Sequence, residues 1–153
     1  MKYQYLSFLL ILLACNNAEK KSTENKTEVT VTKASISDLQ PGCYQMIIDK
    51  DSALFNLDIK GDSVFGNLAY NRFEKDDNNG AFVGHADSNK VTGWYRFQSE
   101  GMVTVREVVF KIVDNGLAEA YGDVSAKGDT AIFKYPHTLT YEETHLYKKI
   151  NCK

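Results

Sequence analysis

Ala53-Leu54-Phe55-Asn56-Leu57-Asp58-Ile59-Lys60-Gly61-Asp62-Ser63-Val64-Phe65-Gly66-Asn67-Leu68 alternates in polarity on both sides of a Gly-Asp pair, and that alternation decides the fold. Pairing the flanks across Gly61-Asp62 sets Phe55, Leu57 and Ile59 opposite Val64, Gly66 and Leu68, while Asn56, Asp58, Lys60 and Asn67 point the other way. Successive side chains of a strand lie on opposite faces, so this hairpin buries one side only.

The same pattern extends from Pro41 to the end of the chain, with turn residues every eight to twelve positions. Further hairpin tips are expected at Lys50-Asp51, Ser88-Asn89, Glu100-Gly101 and Asn115-Gly116. With these tips, Tyr44, Met46 and Ile48 join the apolar face. So do Phe82, Gly84 and Ala86 against Val91, Gly93 and Tyr95, and then Val108, Phe110 and Ile112. A meander apolar on one face must close on itself or fold into two layers. Inward Gly66, Gly84 and Gly93 favour closure, because glycine lets a small barrel bend sharply. The expectation is an all-β domain, a single antiparallel meander closed into a barrel of about eight strands, with a β-sandwich as the alternative.

Two places resist this reading. Counting from Asn115-Gly116 puts Tyr121 and Asp123 inside, whereas counting from Lys127-Gly128-Asp129-Thr130 puts Val124 and Phe133 inside; a bulge at Gly122 would reconcile them. Thr144 to Cys152 reads as the closing strand, although Thr140-x-x-Glu143 also fits a helix capping box. Lys60-Gly61-Asp62-Ser63 recurs loosely as Lys127-Gly128-Asp129-Thr130, one hairpin solution used twice.

The start of the chain is of a different kind. Lys2 precedes an apolar run from Leu6 that ends Leu12-Leu13-Ala14-Cys15. The run is too short to span a bilayer, and a small residue precedes the cysteine. This arrangement resembles a bacterial lipobox. The resemblance implies that residues 1–14 are a lipoprotein signal peptide and that Cys15 carries a thioether-linked diacylglycerol, often with a third, amide-linked chain such as palmitate. Residues 15–40 would then be the lipidated cysteine and a disordered tether, since Lys, Glu, Thr, Ser and Asn dominate there, and 41–153 the barrel-like domain. The whole chain carries a net charge of −2 and loses one positive charge with Lys2. Nucleic acid and anionic membrane surfaces are poor partners for such a balance, so any membrane attachment rests on lipid.

After acylation of Cys15, only Cys43 and Cys152 remain, one at the opening of the domain and one beside its end. In an exported protein they are expected to form a disulfide; free buried thiols are the alternative, and the spacing gives no support to a metal site.

Arg106 is the most informative candidate for a site. The register places it on the apolar face opposite Tyr95 and one strand from Asp123. A guanidinium there must be paired, stacked or wet. It either clamps the anionic group of a ligand together with Tyr95 and Asp123, pairs internally with Asp123, or sits at the barrel mouth in water. Glu74-Lys75-Asp76-Asp77-Asn78-Asn79-Gly80 is rich in oxygen but lacks the glycine and terminal acid of a calcium loop, and no metal or cofactor is expected. His85, His137 and His145 are scattered, and neither a nucleophile elbow nor a carboxylate pair appears, so no enzyme activity is expected. Trp94, Val103, Val105 and Val109 share the outward face and form an apolar strip. Asp51-Ser52-Ala53, Asp62-Ser63-Val64 and Asp129-Thr130-Ala131 look like acceptors of O-glycans on exported Bacteroidetes-type proteins, and equally like ordinary turn chemistry.

With the lipobox, the polar tether, Gly42-Cys43-Tyr44, the Ser99-Glu100-Gly101 tip, Arg106-Glu107-Val108 and Cys152, the whole chain resembles small uncharacterised Bacteroidetes-type lipoproteins. The resemblance implies a lipid-anchored envelope protein, with Asn16 after the cysteine pointing to the outer membrane, at its periplasmic face or at the cell surface. The function expected is an interaction or structural module without catalysis, monomeric, meeting an envelope protein or glycan. The alternative is lipocalin-like binding of a small amphiphilic or anionic ligand inside the barrel.

Overall fold

The computed structural model describes residues 35–99 and 101–152. Cys15 and nearly all of the expected tether lie outside them. Ten strands follow a short 3-10 helix, Ile36–Asp38: β1 (Gly42–Ile48), β2 (Asp51–Lys60), β3 (Ser63–Asn71), β4 (Asn78–Asp87), β5 (Lys90–Ser99), β6 (Met102–Val113), β7 (Gly116–Tyr121), β8 (Val124–Lys127), β9 (Thr130–Phe133) and β10 (Thr140–Ile150). Each strand from β1 to β6 pairs antiparallel with the next, β7 pairs with β10, and β10 pairs with β1 through Cys43↔Ile150 and Gln45↔Lys148. The result is a closed eight-stranded antiparallel barrel, the first of the two arrangements that one-sided alternation allows, with β8 and β9 as an added hairpin. Thr140–Ile150 is strand throughout, so the capping-box pattern at Thr140 starts no helix.

The first hairpin pairs Phe55↔Leu68, Leu57↔Gly66 and Ile59↔Val64. Two tips differ from expectation. The turns lie at Asp49-Lys50 and Asp114-Asn115, between Ile48↔Asp51 and Val113↔Gly116. Asp49 and Asn115 take the positive φ there, 53° and 63°. Gly116 serves another purpose: a Cβ on it would sit 2.3 Å from the Tyr147 carbonyl oxygen, so glycine admits β10 rather than making the turn. Both differences shift the pairing by two residues, and an even shift leaves every side chain on its expected face. The repeated Lys-Gly-Asp tips behave alike, with Gly61 and Gly128 at φ 64° and 65°.

The interior is aromatic. Phe55 lies with its ring centroid 5.0 Å from that of Phe82 and 5.3 Å from that of Phe110, all three fully buried. Leu57, Val64, Leu68, Val91, Ile112 and Leu117 complete the layer. Each such side chain contributes about 1.5–3 kcal/mol when buried. Gly93 makes room for this packing, since a Cβ there would lie 2.5 Å from Phe82 Cζ.

One end of the barrel is plugged. Ile36 N–H donates to the Ser88 carbonyl (2.8 Å), the Tyr44 hydroxyl donates to the Gln40 carbonyl (2.6 Å), and Leu39 is buried in the core. Ordered structure is therefore present from Ser35, six residues before the expected start of the domain at Pro41. At the same end Cys43 and Cys152 form a disulfide with Cα atoms 5.2 Å apart. Tyr44 and Met46 face inward, so Cys43 points outward, and its partner reaches it because the chain leaves regular strand after Ile150.

The other end is open because the wall divides. β7 pairs with β6 only from Phe110 to Val113, and β9 takes the same edge of β6 in parallel at Val105↔Thr130 and Arg106↔Ala131. β10 also breaks register between Tyr141 and Leu146. Gly122 and Asp123 are thus the link where one strand ends and the next begins, not a bulge within a strand.

Candidate functional site

Five inward positions near the open end carry polar groups: Tyr70 on β3, Tyr95 on β5, Arg106 on β6, Glu119 on β7 and Tyr147 on β10. The pairings Tyr95↔Arg106 and Phe110↔Glu119 place them on the same face as the aromatic core. Glu119 is their centre. Its Oε1 accepts from the Tyr70 hydroxyl (2.7 Å) and from Arg106 Nη2 (3.2 Å), and its Oε2 accepts from the Tyr147 hydroxyl (2.5 Å). A buried carboxylate is costly unless paired and hydrogen-bonded, and three donors meet that need. The Arg106 guanidinium also lies over the rings of Tyr70, 4.6 Å from the centroid, and Tyr95, at 5.5 Å.

The electrostatics follow from burial. Tyr70 and Tyr147 are held well above the ordinary tyrosine value of 10.0, first because burial disfavours the phenolate and then because the Glu119 charge repels it. Burial pushes Tyr95 up to about 12. For Arg106, burial works against the charge, but Tyr70 and Glu119 outweigh it and raise the group further, so it stays a cation. Within this cluster of five residues, Arg106 Nε and the Tyr95 hydroxyl have no partner among the described residues.

Above this floor opens a cavity of about 610 Å³. Its walls are mostly apolar, from Met46, Ile48, Val108, Val124, Ala131 and Phe133. The Arg106 side chain is 28% exposed and the Glu119 side chain 10%. Arg72, from the loop after β3, lines the rim, 5.6 Å from the Tyr70 centroid. The acids of the lining have partners: the Asp51 carboxylate accepts from Phe73 N–H (2.8 Å) and the Glu107 carboxylate from Phe133 N–H (3.0 Å). Arg72 forms no ion pair among the described residues. Arg72 and Arg106 thus offer donors to the cup, beside Asp51 and Glu107 carboxylates that keep acceptor capacity. A wider depression of about 1070 Å³ lies at the plugged end, but its floor is the nearly buried Leu39 and Tyr44 and its wall carries Lys148 and Lys149.

The structure brings Arg106 and Tyr95 together and leaves Asp123 out. The ion partner of Arg106 is Glu119: β7 ends at Tyr121, and Asp123 lies exposed beyond it, its main-chain oxygen accepting from Lys134 N–H (2.8 Å). Sequence reasoning does not reach Glu119, Tyr70, Tyr147 or Arg72, and it sets His145 aside as scattered although that side chain lines the cavity. Glu119 carries a signal, since it shares the strand parity of Tyr121, which the count from Asn115-Gly116 places inward. Outside the barrel, Trp94 is 47% and Val103 43% exposed, whereas Val109 on the same face is buried. Among the described residues no cluster of three or more His, Cys, Asp or Glu could hold a metal ion.

The chain matches no protein-family model, and neither a curated protein nor a solved structure is significantly similar to it.

Proposed function

We propose that the protein is a non-catalytic, lipid-anchored binding module of the cell envelope, attached through Cys15, whose open barrel end takes a small amphiphile with an acceptor-bearing head. The observation that carries this reading is the apolar cavity reaching Arg106. Its volume lies in the range of small-molecule sites. The donors left free, on Arg72 and Arg106, suit an anionic or strongly polar head, and the Met46, Ile48, Val124 and Phe133 walls suit an apolar body. Glu119 serves as the fixture that keeps Arg106 charged and oriented.

The test is native mass spectrometry of the acyl-free domain purified from its own host, which is expected to carry a copurified amphiphile. Arg106→Met should lose that ligand. It also leaves Glu119 with only its two tyrosine donors, and adding Glu119→Gln should recover much of the lost stability. Retention of the ligand by the Arg106→Met protein overturns the reading.

One observation favours the other reading, in which the outer face meets an envelope protein or glycan. Phe65, Val83 and Trp94 are cross-strand neighbours on β3, β4 and β5 and form an exposed apolar row. A surface-charge variant such as Val83→Lys should break such a contact without touching the cavity.

A further inference from the structure

We infer that the β8–β9 hairpin is a side gate to the cavity, latched to β6 by the Glu107 carboxylate and hinged at Gly122-Asp123 and at the segment after Phe133. This rests on the reading of the cavity as a binding site.

The hairpin is a self-contained unit. Val124↔Phe133 and Lys127↔Thr130 close its ladder, and Lys134 N–H donates to the Asp123 carbonyl (2.8 Å) across its base. Its hold on the barrel is slight by comparison. It bridges β6 at Val105↔Thr130 and Arg106↔Ala131, with Val105 N–H donating to the Asp129 carbonyl (3.0 Å), whereas β5 follows β6 from Lys90↔Lys111 to Ser99↔Met102. Among the described residues, the one side-chain hydrogen bond that adds to this hold runs from Phe133 N–H to Glu107 Oε2 at 3.0 Å. Among the described residues, the outer edge of β8 pairs with no strand. Elements with few, exposed backbone bonds open first.

What the hairpin covers is the seam in the wall. From Glu107 to Val109, β6 bridges neither β7 nor β9, and the register break of β10 lies beyond the end of that same gap. Val124, Ala131 and Phe133 line the cavity from the hairpin side, and Glu107, Val108 and Gly122 line it at the seam. Moving the hairpin outward about its base would open the cup sideways at the strand that carries Arg106. Gly122 suits the hinge because a Cβ there would lie 3.4 Å from Phe133 Cδ1 of the hairpin and 2.8 Å from Leu139 Cδ2 in the segment before β10. Latch and ligand also meet on one strand segment, because Glu107 follows Arg106.

The experiment is a lock. Val105→Cys with Thr130→Cys joins Cα partners whose side chains lie on the face opposite Arg106 and Ala131, away from the cavity. Cross-linking is by a short bifunctional thiol reagent, with the native disulfide left oxidised. The probe is 8-anilinonaphthalene-1-sulfonate, an anionic amphiphile, mixed by stopped flow with the parent, the open double variant and the cross-linked form. The gate predicts that cross-linking slows both association and dissociation by about tenfold or more while the equilibrium affinity changes little, and that Glu107→Ala speeds both. Unchanged rates in the cross-linked form overturn it. Hydrogen exchange supplies a readout that needs no ligand: the Val105 and Phe133 amides should exchange faster than those of Val83 and Trp94. Equal protection overturns the gate even if the probe fails to bind, whereas failure of the probe to bind with fast hairpin exchange overturns only the binding reading.

Discussion

The two ends of the barrel are built from the same alternation and come out opposite. At the plugged end the inward positions are Leu57, Val64, Val91, Ile112 and Leu117, the neighbouring strands stay in register, and Leu39 caps the layer. At the open end the inward positions include Tyr70, Arg106 and Glu119, the β6–β7 ladder stops at Phe110↔Glu119, and the β7–β10 ladder breaks register. Inward charge and a divided wall go together for a physical reason. A guanidinium and a carboxylate need donors, acceptors and water, so the apolar layer cannot continue over them and the strands are free to separate. One end supplies stability and the other supplies room.

The largest expected test of this division is removal of the clamp on the plugged end. Cys43→Ser with Cys152→Ser should cost about 4–5 kcal/mol in the chain-entropy account, because the bond closes a sequence separation of 109 residues. Urea unfolding measures it; an unchanged midpoint would mean that the β1–β10 ladder alone holds the closure.

A second test compares the two ends directly. Phe55→Ala, which empties the aromatic cluster, should cost about 3–5 kcal/mol, and Ile48→Ala, whose side chain already borders the cavity, under about 2 kcal/mol. Equal losses in denaturant melts would erase the distinction between a packed end and an open one.

The smallest effect sharpens the polar floor. Tyr70 and Tyr147 are raised above 10.0 in the folded protein. In the unfolded chain they ionise near pH 10, so their contribution is complete below that pH and declines as pH rises beyond it toward the folded values. Each adds a slope of up to about 1.4 kcal/mol per pH unit. A protein carrying Tyr70→Phe and Tyr147→Phe should lose stability less steeply above pH 10. An alkaline slope identical to that of the parent would show that these hydroxyls are not held in the protonated form by their surroundings.

The alternation of Phe55 to Leu68 was enough to read the barrel, and the inward glycines pointed to closure. Asp49 and Asn115 were harder, because an aspartate or asparagine can take positive φ as glycine does, and Gly116 is needed for the approach of β10. Faces survived that uncertainty and partners did not. Arg106 was legible as an interior cation from its parity alone. Its partner depended on where β7 stops, which a two-residue shift and the departure at Gly122 decide together. The fork of β6 between β7 and β9 is a parallel contact between segments far apart in the chain, and no local pattern signals it.

The pairing of β1 with β10 has a consequence for how the protein forms. Cys43, Tyr44 and Gln45 find their partners only at Ile150, Lys149 and Lys148, so the ring cannot close until β10, about a hundred residues later, is available. Such non-local pairing is slow. Throughout that interval β1 carries an unpaired edge, the kind of surface that recruits other chains. A partly synthesised chain is therefore the form most exposed to misassembly, and its hazard ends in one step when β10 arrives.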